Sequence, residues 1–357
     1  MSLKELSAPV GMAVIGLGNA AKPHARALLD LQGSHVAVTG VYSRNAQRRE
    51  AFAAAHGFPA VDSAEAAITD PRTKAVLLLT PPSERLELLR LALAHHKPVL
   101  MEKPVGRTTA EATEMVTLAE QSGVPLGVVL QHRHRRGALA LAELINRGDL
   151  GRIGLVRLNV PWWRDQAYYD TPGRGTFARD GGGVLISQAI HAIDLMTHLV
   201  GPVVGVMGMV ATTPLHRMET EDIAVAGLQF ANGAMGALMA TTAAFPGGSE
   251  VMYLDAERAS VELGNGELVI RWRDGREERL PDSIASGTGA DPMAFDHGMH
   301  RSVIQSFVEA VHVGRDAPVA AREAIAVHHL IDAIVLSSRQ GCYVELGERR
   351  RKGGTHG

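Results

Sequence analysis

Apolar runs alternate with stretches of helical periodicity along the first third of the chain. Val10 to Ile15 is an apolar run, and Lys22 to Leu31 behind it has the spacing of a helix. His35 to Tyr42 alternates and is β-rich, which predicts a second strand. Ala75 to Leu79 is continuously apolar, as expected of a strand buried on both faces, and it stops at Thr80-Pro81-Pro82. Ser83 is placed to cap a helix running to about His95. Pro98 to Met101 is the next strand, Thr108 or Thr109 caps a helix ending near Gly123, and Val124 to Leu130 is the last strand of this half. This rhythm predicts a parallel sheet with helices on both faces, so the fold class is α/β.

After Gln131 the rhythm changes. His132-Arg133-His134-Arg135-Arg136 is a polar run that reads as a hinge, and a helix is predicted from about Ala138 to Arg147. Ile153–Val160, Val203–Ala211, Ala224–Phe230, Ala234–Thr242 and Ser260–Leu263 read as strands, with Asn232-Gly233 as a hairpin turn. Arg301 to His312 and Arg322 to Gln340 are amphipathic, and Gly341 suits a C-cap. The expected division is a dinucleotide-binding domain over 1–131 and a mostly antiparallel α+β domain over 132–347. A basic, unstructured tail over 348–357, containing Arg349-Arg350-Arg351-Lys352, completes it.

Composition narrows the function classes. The 357 residues are 46% hydrophobic, enough for two domains with substantial cores. No apolar run reaches the ~18 residues of a spanning helix, and the start of the chain has no signal-peptide pattern, so no membrane partner and a cytoplasmic location are expected. The net charge of -2 has both signs spread along the chain, which gives no nucleic-acid surface. One cysteine, Cys342, leaves no internal disulfide.

Gly16-Leu17-Gly18-Asn19-Ala20-Ala21 follows the first strand and opens a helix. This is the G-x-G-x-x-A form of a dinucleotide-binding turn. Gly16 permits the turn, Gly18 allows close approach to a pyrophosphate, and Ala21 permits helix–strand packing. Asn19 and Ala20 carry amides at the helix start, where phosphates are held. The second strand ends in Tyr42-Ser43-Arg44, with no acid for a ribose 2′-hydroxyl. Ser43 and Arg44 suit a 2′-phosphate, so the cofactor expected is NADP, with NAD as the alternative. Thr80, Pro81, Glu102, Lys103 and Gln131 complete the candidate cofactor contacts.

Two constellations carry candidate chemistry. Met101-Glu102-Lys103-Pro104 ends a strand with a lysine, whose pKa falls readily on burial, which makes it a candidate base toward a hydroxyl. Gly181-Gly182-Gly183 leads into Val184–Leu195, read as one helix on which Ser187 and His191 share a face. His191 is a candidate acid, base or substrate anchor, against the alternative of a satisfied core histidine. His191 with Asp194, and His132 with His134, lack a complete zinc spacing, so no metal is expected. Trp162, Trp163, Tyr168 and Tyr169 cluster within eight positions, either to stack on a ring or to plug a domain interface. Arg133, Arg135, Trp163, Arg164, Tyr168, Arg174, Ser187, Gln188 and Asp194 are candidates for binding a polar, anionic substrate.

With Gly16 to Ala21, Thr80-Pro81-Pro82, Glu102-Lys103-Pro104 and Gly181…His191…Asp194 in hand, the chain resembles the Gfo/Idh/MocA oxidoreductases from Gly11 to about Leu346. The resemblance implies a Rossmann domain and a C-terminal domain whose open sheet forms a homodimer or homotetramer. It implies hydride transfer between NAD(P) and a hydroxyl-bearing carbon of a sugar, cyclitol or related polyol. Lys103 matches the family's catalytic lysine and His191 its active-site histidine, while Glu102 is expected to orient the lysine or a ribose. Two positions depart from the pattern. Ser187 stands where many members have Asp, and Arg85 stands where members often have His after Thr-Pro-Pro. Two other functions fit the same scaffold: transient oxidation with elimination of a glycosidic substituent, and non-catalytic nucleotide sensing.

Overall fold

The computed structural model describes residues 6–282 and 297–347. The basic tail falls outside them, as does the chain start through residue 5. Strands β1 (Val10–Ile15), β2 (Val36–Tyr42), β3 (Ala75–Leu78), β4 (Val99–Glu102) and β5 (Leu126–Val129) form a parallel sheet in the order β2-β1-β3-β4-β5. Helices α1 (Ala21–Leu31), α2 (Ala46–His56), α3 (Ala64–Thr69), α4 (Arg85–Ala94) and α5 (Thr109–Ser122) link them. The order reverses between β1 and β3. A crevice for a ligand opens at such a switch point, outside the carboxyl ends of the strands. The turns after β1 and β3 therefore face each other there.

Local chemistry explains most boundaries. Thr108 accepts a hydrogen bond from the Glu111 amide at the start of α5, and Gly123 ends that helix at φ 67°. Ser83 does not cap α4: Pro82–Glu84 forms a 3₁₀ turn first, and the helix begins at Arg85. The predicted elements leave out α3, and the helix that Arg48 and Arg49 suggest as the alternative role for Arg44 is α2. α2 buries only Ala53, so its sequence carries little apolar periodicity.

The second half contains α6 (Arg136–Asn146), β6 (Ile153–Pro161), α7 (Gln166–Asp170), α8 (Phe177–Asp180), α9 (Val184–Ser187) and α10 (Ile190–Val200). Strands β7 (Val203–Ala211), β8 (Ile223–Phe230), β9 (Met235–Thr241), β10 (Val251–Ala256), β11 (Ala259–Gly264), β12 (Glu267–Trp272) and β13 (Glu277–Pro281) follow. Helices α11 (Gly298–His312) and α12 (Ala321–Gln340) and strand β14 (Val344–Glu345) close the described chain. The nine-stranded sheet has the order β13-β12-β11-β10-β6-β9-β8-β7-β14, and only β6 and β9 pair in parallel. The Asn232-Gly233 turn joins β8 to β9, with Gly233 at φ 89°. Sequence reading missed β10, β12 and β13; β13 is a charged edge strand with no buried residue.

The cores show how the halves are tied. One apolar cluster lies between the large sheet and α6, α10 and α12. Val303, Ile304, Phe307 and Val308 of α11 join the core on one face of the parallel sheet, with α1. Val319, Ala321, Ala324 and Ile325 join the core on its other face. A Cβ on Gly127 would lie 2.9 Å from Ala317 and 3.3 Å from Phe307, so that glycine permits the close approach. No single helix among the described residues is long and apolar enough to cross a membrane.

Two expectations are corrected. The polar run after Gln131 is a buried knot, not a solvated hinge. Its 3₁₀ turn spans Gln131–His134. Arg135 pairs with Glu250 and Asp282, and Arg133 pairs with Asp194 and Glu323. The single helix read over Val184–Leu195 is broken between Ser187 and Ile190, where Gln188 sits at φ -117°, ψ -58°. Ser187 and His191 therefore do not share a helical face.

Candidate active site

The crevice at the switch point is a cleft of about 1340 Å³. Its floor is the turn Ile15–Ala20. One wall is Tyr42–Asn45 with Arg48, another is Leu79–Arg85, and the far end is Glu102, Lys103, Pro104, Arg174, Arg179, Asp180 and Ser187. Gly16 has φ 98°, and a Cβ there would lie 2.6 Å from the Thr80 amide nitrogen. Only glycine fits that contact between the β1 and β3 turns. A Cβ on Gly18 would meet nothing within 4 Å, so the cleft is open in front of it. The start of α1 has no side-chain cap and no acidic residue in its first turn. The Ala21 and Lys22 amides donate back to the Gly18 and Asn19 carbonyls, and Gly18, Asn19 and Ala20 ahead of them line the cleft, where the turn fits a dinucleotide.

Beyond β2, Ser43 and Arg44 line the cleft, and Arg44 is hydrogen-bonded to Glu84 across it. Arg48 adds a second guanidinium on the same wall. Arg48 and Glu84 were not among the sequence candidates; Arg48 lies in the first turn of α2, just after the Ser43-Arg44 pair, and that nearness in sequence is the signal that could have found it.

Lys103 is presented where β4 ends, and its peptide bond to Pro104 is cis. Its Nζ donates to the Ser187 carbonyl at 2.8 Å, at the break between α9 and α10. The helix break thus supplies the acceptor that fixes the amine. Burial holds the Lys103 ammonium below its ordinary pKa; Glu102 pulls it back up, while Arg174 and Arg85 push it down. Glu102 accepts from the Lys103 amide at 3.0 Å and is bonded to His24 at 2.8 Å. Burial raises the Glu102 carboxyl, but the His24 hydrogen bond and the charges of His24, Lys103 and His300 bring it to about 2. Donor atoms of His24, Glu102 and His300 all lie within 4.8 Å of one another. The bond already joining His24 to Glu102 makes this a network that keeps the carboxylate charged.

Arg85, the departure from the family pattern after Thr80-Pro81-Pro82, has a packing role. It is buried, and its Nε donates to the Thr80 carbonyl at 2.9 Å. Its Nη1 donates to the carbonyls of Glu102 and Pro104, on either side of Lys103. One side chain therefore clamps the β3 turn to the lysine turn.

His191 is buried, with its ring 4.9 Å from that of His132. The Gln131 Nε2 group donates to its Nε2 at 3.4 Å. Burial, then Lys103, His132 and His300, hold the imidazole well below its usual pKa, so it is neutral. Gln131 is likewise buried behind the cleft wall rather than lining it.

Arg133 and Asp194 are placed differently from the sequence expectation. Arg133 donates through Nε and Nη2 to both Asp194 oxygens at 2.8 and 2.7 Å, and through Nη1 to Glu323. Both groups are consumed by this buried pairing. Of the aromatic cluster, Trp162 is in the core, Trp163 packs on His216 and Phe245, and Tyr169 bonds Thr242. Three of the four are a plug. Tyr168 alone reaches toward the cleft: Gln188 Nε2 donates to its hydroxyl at 3.4 Å, and Arg174 lies over its ring at 4.9 Å. The Arg164 guanidinium lies over Trp162 at 5.3 Å and Tyr168 at 5.7 Å.

Comparison with known proteins bears on this site. Residues 10–130 match the family model of an oxidoreductase family with an NAD-binding Rossmann fold, and residues 138–262 match the GFO/IDH/MocA C-terminal domain. The trans-1,2-dihydrobenzene-1,2-diol dehydrogenase of Mus musculus is 28% identical over 189 residues, 53% of this chain and 55% of that one. The D-xylose dehydrogenase of Paenarthrobacter nicotinovorans is 27% identical over 151 residues, 42% of this chain and 39% of that one. The chain thus spans about half or less of these two curated relatives. Among solved structures, the WlbA dehydrogenase of Bordetella pertussis, in complex with NADH and UDP-GlcNAcA, aligns with a TM-score of 0.81. It is 25% identical, over 97% of this chain and 100% of that one.

Proposed function

Because the chain belongs to the GFO/IDH/MocA oxidoreductases, NAD-binding enzymes that act on CH–OH groups, we propose that it transfers a hydride between a nicotinamide cofactor and a hydroxyl-bearing carbon of a sugar or related polyol. The observation that carries this reading is Lys103. It is a buried amine at the end of a cleft whose other end is a dinucleotide turn. The substrate class is supported by relatives that act on D-xylose or are solved with a nucleotide sugar.

In the oxidation direction the Lys103 amine takes the hydroxyl proton, while its bond to the Ser187 carbonyl fixes Nζ in place. A nicotinamide cofactor held against the Gly16–Ala20 turn would supply the acceptor for the hydride of the carbinol carbon. Glu102 stays charged and orients the Lys103 backbone through its amide. Neutral His191 offers hydrogen bonding behind the lysine rather than a second charge. Burial holds His191 well below its usual pKa and makes it a poor proton acceptor, so this reading gives the proton to Lys103.

The cofactor is NADP in this reading. Ser43, Arg44 and Arg48 line the adenosine end of the cleft, against one acid, Glu84. The assembly is a homo-oligomer through the outer face of the large sheet. Met207, Met209, Val225, Met235, Met239 and Leu155 are exposed there, an apolar area suited to a second copy. Lys103→Met is expected to abolish turnover while keeping cofactor affinity within a few-fold. Retained turnover would refute the assignment.

A further inference from the structure

Arg174 bears on Lys103 only through its charge, yet its own position in the cleft is fixed in detail. It lies between Gly173 at φ 79° and Gly175 at φ 65°, two left-handed positions that fix a tight loop. The Gly175 amide donates to Asp180 at 2.9 Å, and its carbonyl accepts from the amides of Glu219 and Thr220 and from the Thr220 hydroxyl. A Cβ on Gly175 would press to 3.1 Å against Met218 and Tyr169. The loop is therefore pinned from three sides.

From that loop the Arg174 guanidinium stacks on the Tyr168 ring at 4.9 Å. Tyr168 is linked to Gln188, Gln188 to the Ser187 hydroxyl, and the Ser187 carbonyl to Lys103 Nζ. Arg174 and Lys103 thus sit on one continuous wall at the end of the cleft away from the dinucleotide turn. Among the described residues no acidic side chain forms an ion pair with Arg174. The acid nearest on this wall, Asp180, already accepts from the Gly175 amide and lies 3.7 Å from Arg179. The other arginines of the region are satisfied: Arg133 by Asp194 and Glu323, and Arg135 by Glu250 and Asp282.

A stacked, rigidly held guanidinium with open donors is the arrangement that reads planar or tetrahedral oxyanions. We propose that Arg174 is a specificity residue, and that the substrate is a sugar carrying an anionic oxyacid group, carboxylate or phosphoryl, which Arg174 engages while the reacting hydroxyl faces Lys103. This rests on the hydride-transfer reading for the position of the reacting carbon, but the recognition itself is a binding property.

The test uses the purified protein saturated with NADPH or NADH, the change in cofactor fluorescence reporting binding. D-glucuronate, D-glucose 6-phosphate and D-glucose are titrated in turn. At least one of the two anionic sugars is expected to bind ten-fold or more tighter than glucose, and which one distinguishes carboxylate from phosphoryl recognition. Arg174→Gln should erase that preference, while Arg174→Lys should retain part of it. Equal binding of all three sugars, no binding by either anion, or an unchanged preference in Arg174→Gln overturns the proposal. Because binding needs no turnover, a failure of hydride transfer would appear separately, as loss of cofactor reduction with the anionic preference intact.

Discussion

Replacing Arg85 with Met separates what the clamp does for stability from what its charge does for chemistry. Arg85 is buried, donates to the carbonyls of Thr80, Glu102 and Pro104, and stands between the β3 turn and the lysine turn. Burial lowers its pKa to about 10, which still leaves it charged at neutral pH. Hydrogen bonds to charged groups contribute about 1.5–3 kcal/mol each, and three on one side chain are not additive. Relief of the buried charge offsets part of the loss, so the expected cost is about 2–4 kcal/mol. At about 2–4 °C per kcal/mol for a large domain, Tm should fall by about 4–16 °C.

The kinetic consequence has a definite sign. Lys103 accepts a proton only when neutral, so kcat/KM for oxidation rises as pH rises through its pKa. Arg85 pushes that pKa down, so its removal moves the rising limb to higher pH. At a pH below the limb kcat/KM therefore falls. Arg85→Lys restores a positive charge but cannot span three carbonyls; it should return the limb toward wild type while Tm stays low. A limb that does not move in Arg85→Met, despite a lower Tm, would refute the electrostatic role.

Other outcomes follow from the same geometry. Gly16→Ala should cost about 3 kcal/mol or more, because its Cβ would strike the Thr80 and Leu79 backbone at a positive φ, and thermal melting would show it. Gly18→Ala should instead leave Tm nearly unchanged and weaken cofactor binding, read by fluorescence titration, since the added methyl projects into open cleft. Arg44→Ala combined with Arg48→Ala should reduce kcat/KM with NADP at least ten-fold more than with NAD; equal losses would remove both from cofactor choice. Arg133→Met should destabilise by about 3–5 kcal/mol by stranding the buried Asp194 carboxylate, measured by denaturant unfolding, and Arg133→Met with Asp194→Leu should recover part of that.

How far the sequence carried differs between local and distant interactions. The Gly16 turn, the Lys103 turn and most strands are written in contiguous residues, so their chemistry is legible in a window of a few positions. Arg133 looked like a substrate ligand because its partners, Asp194 and Glu323, lie far along the chain. The Arg85 clamp is not legible because its acceptors are backbone carbonyls, which have no sequence signature. The helix through Ser187 and His191 read as continuous because its apolar pattern persists across the break, where tertiary contacts override periodicity. Tyr168 could not be told from its three aromatic neighbours, since only the fold turns one of them toward the cleft.

The most direct measurement is reduction of added NAD or NADP by the purified protein with a panel of neutral and anionic sugars and polyols, followed at the reduced-nicotinamide absorbance band, with Lys103→Met as the blank. The account predicts a signal with at least one sugar, larger with NADP than with NAD, and none in the blank. Signal persisting in Lys103→Met would contradict the assignment of the proton to that amine. Silence across the panel, with no cofactor released on denaturing the protein, would contradict sugar-directed hydride transfer itself.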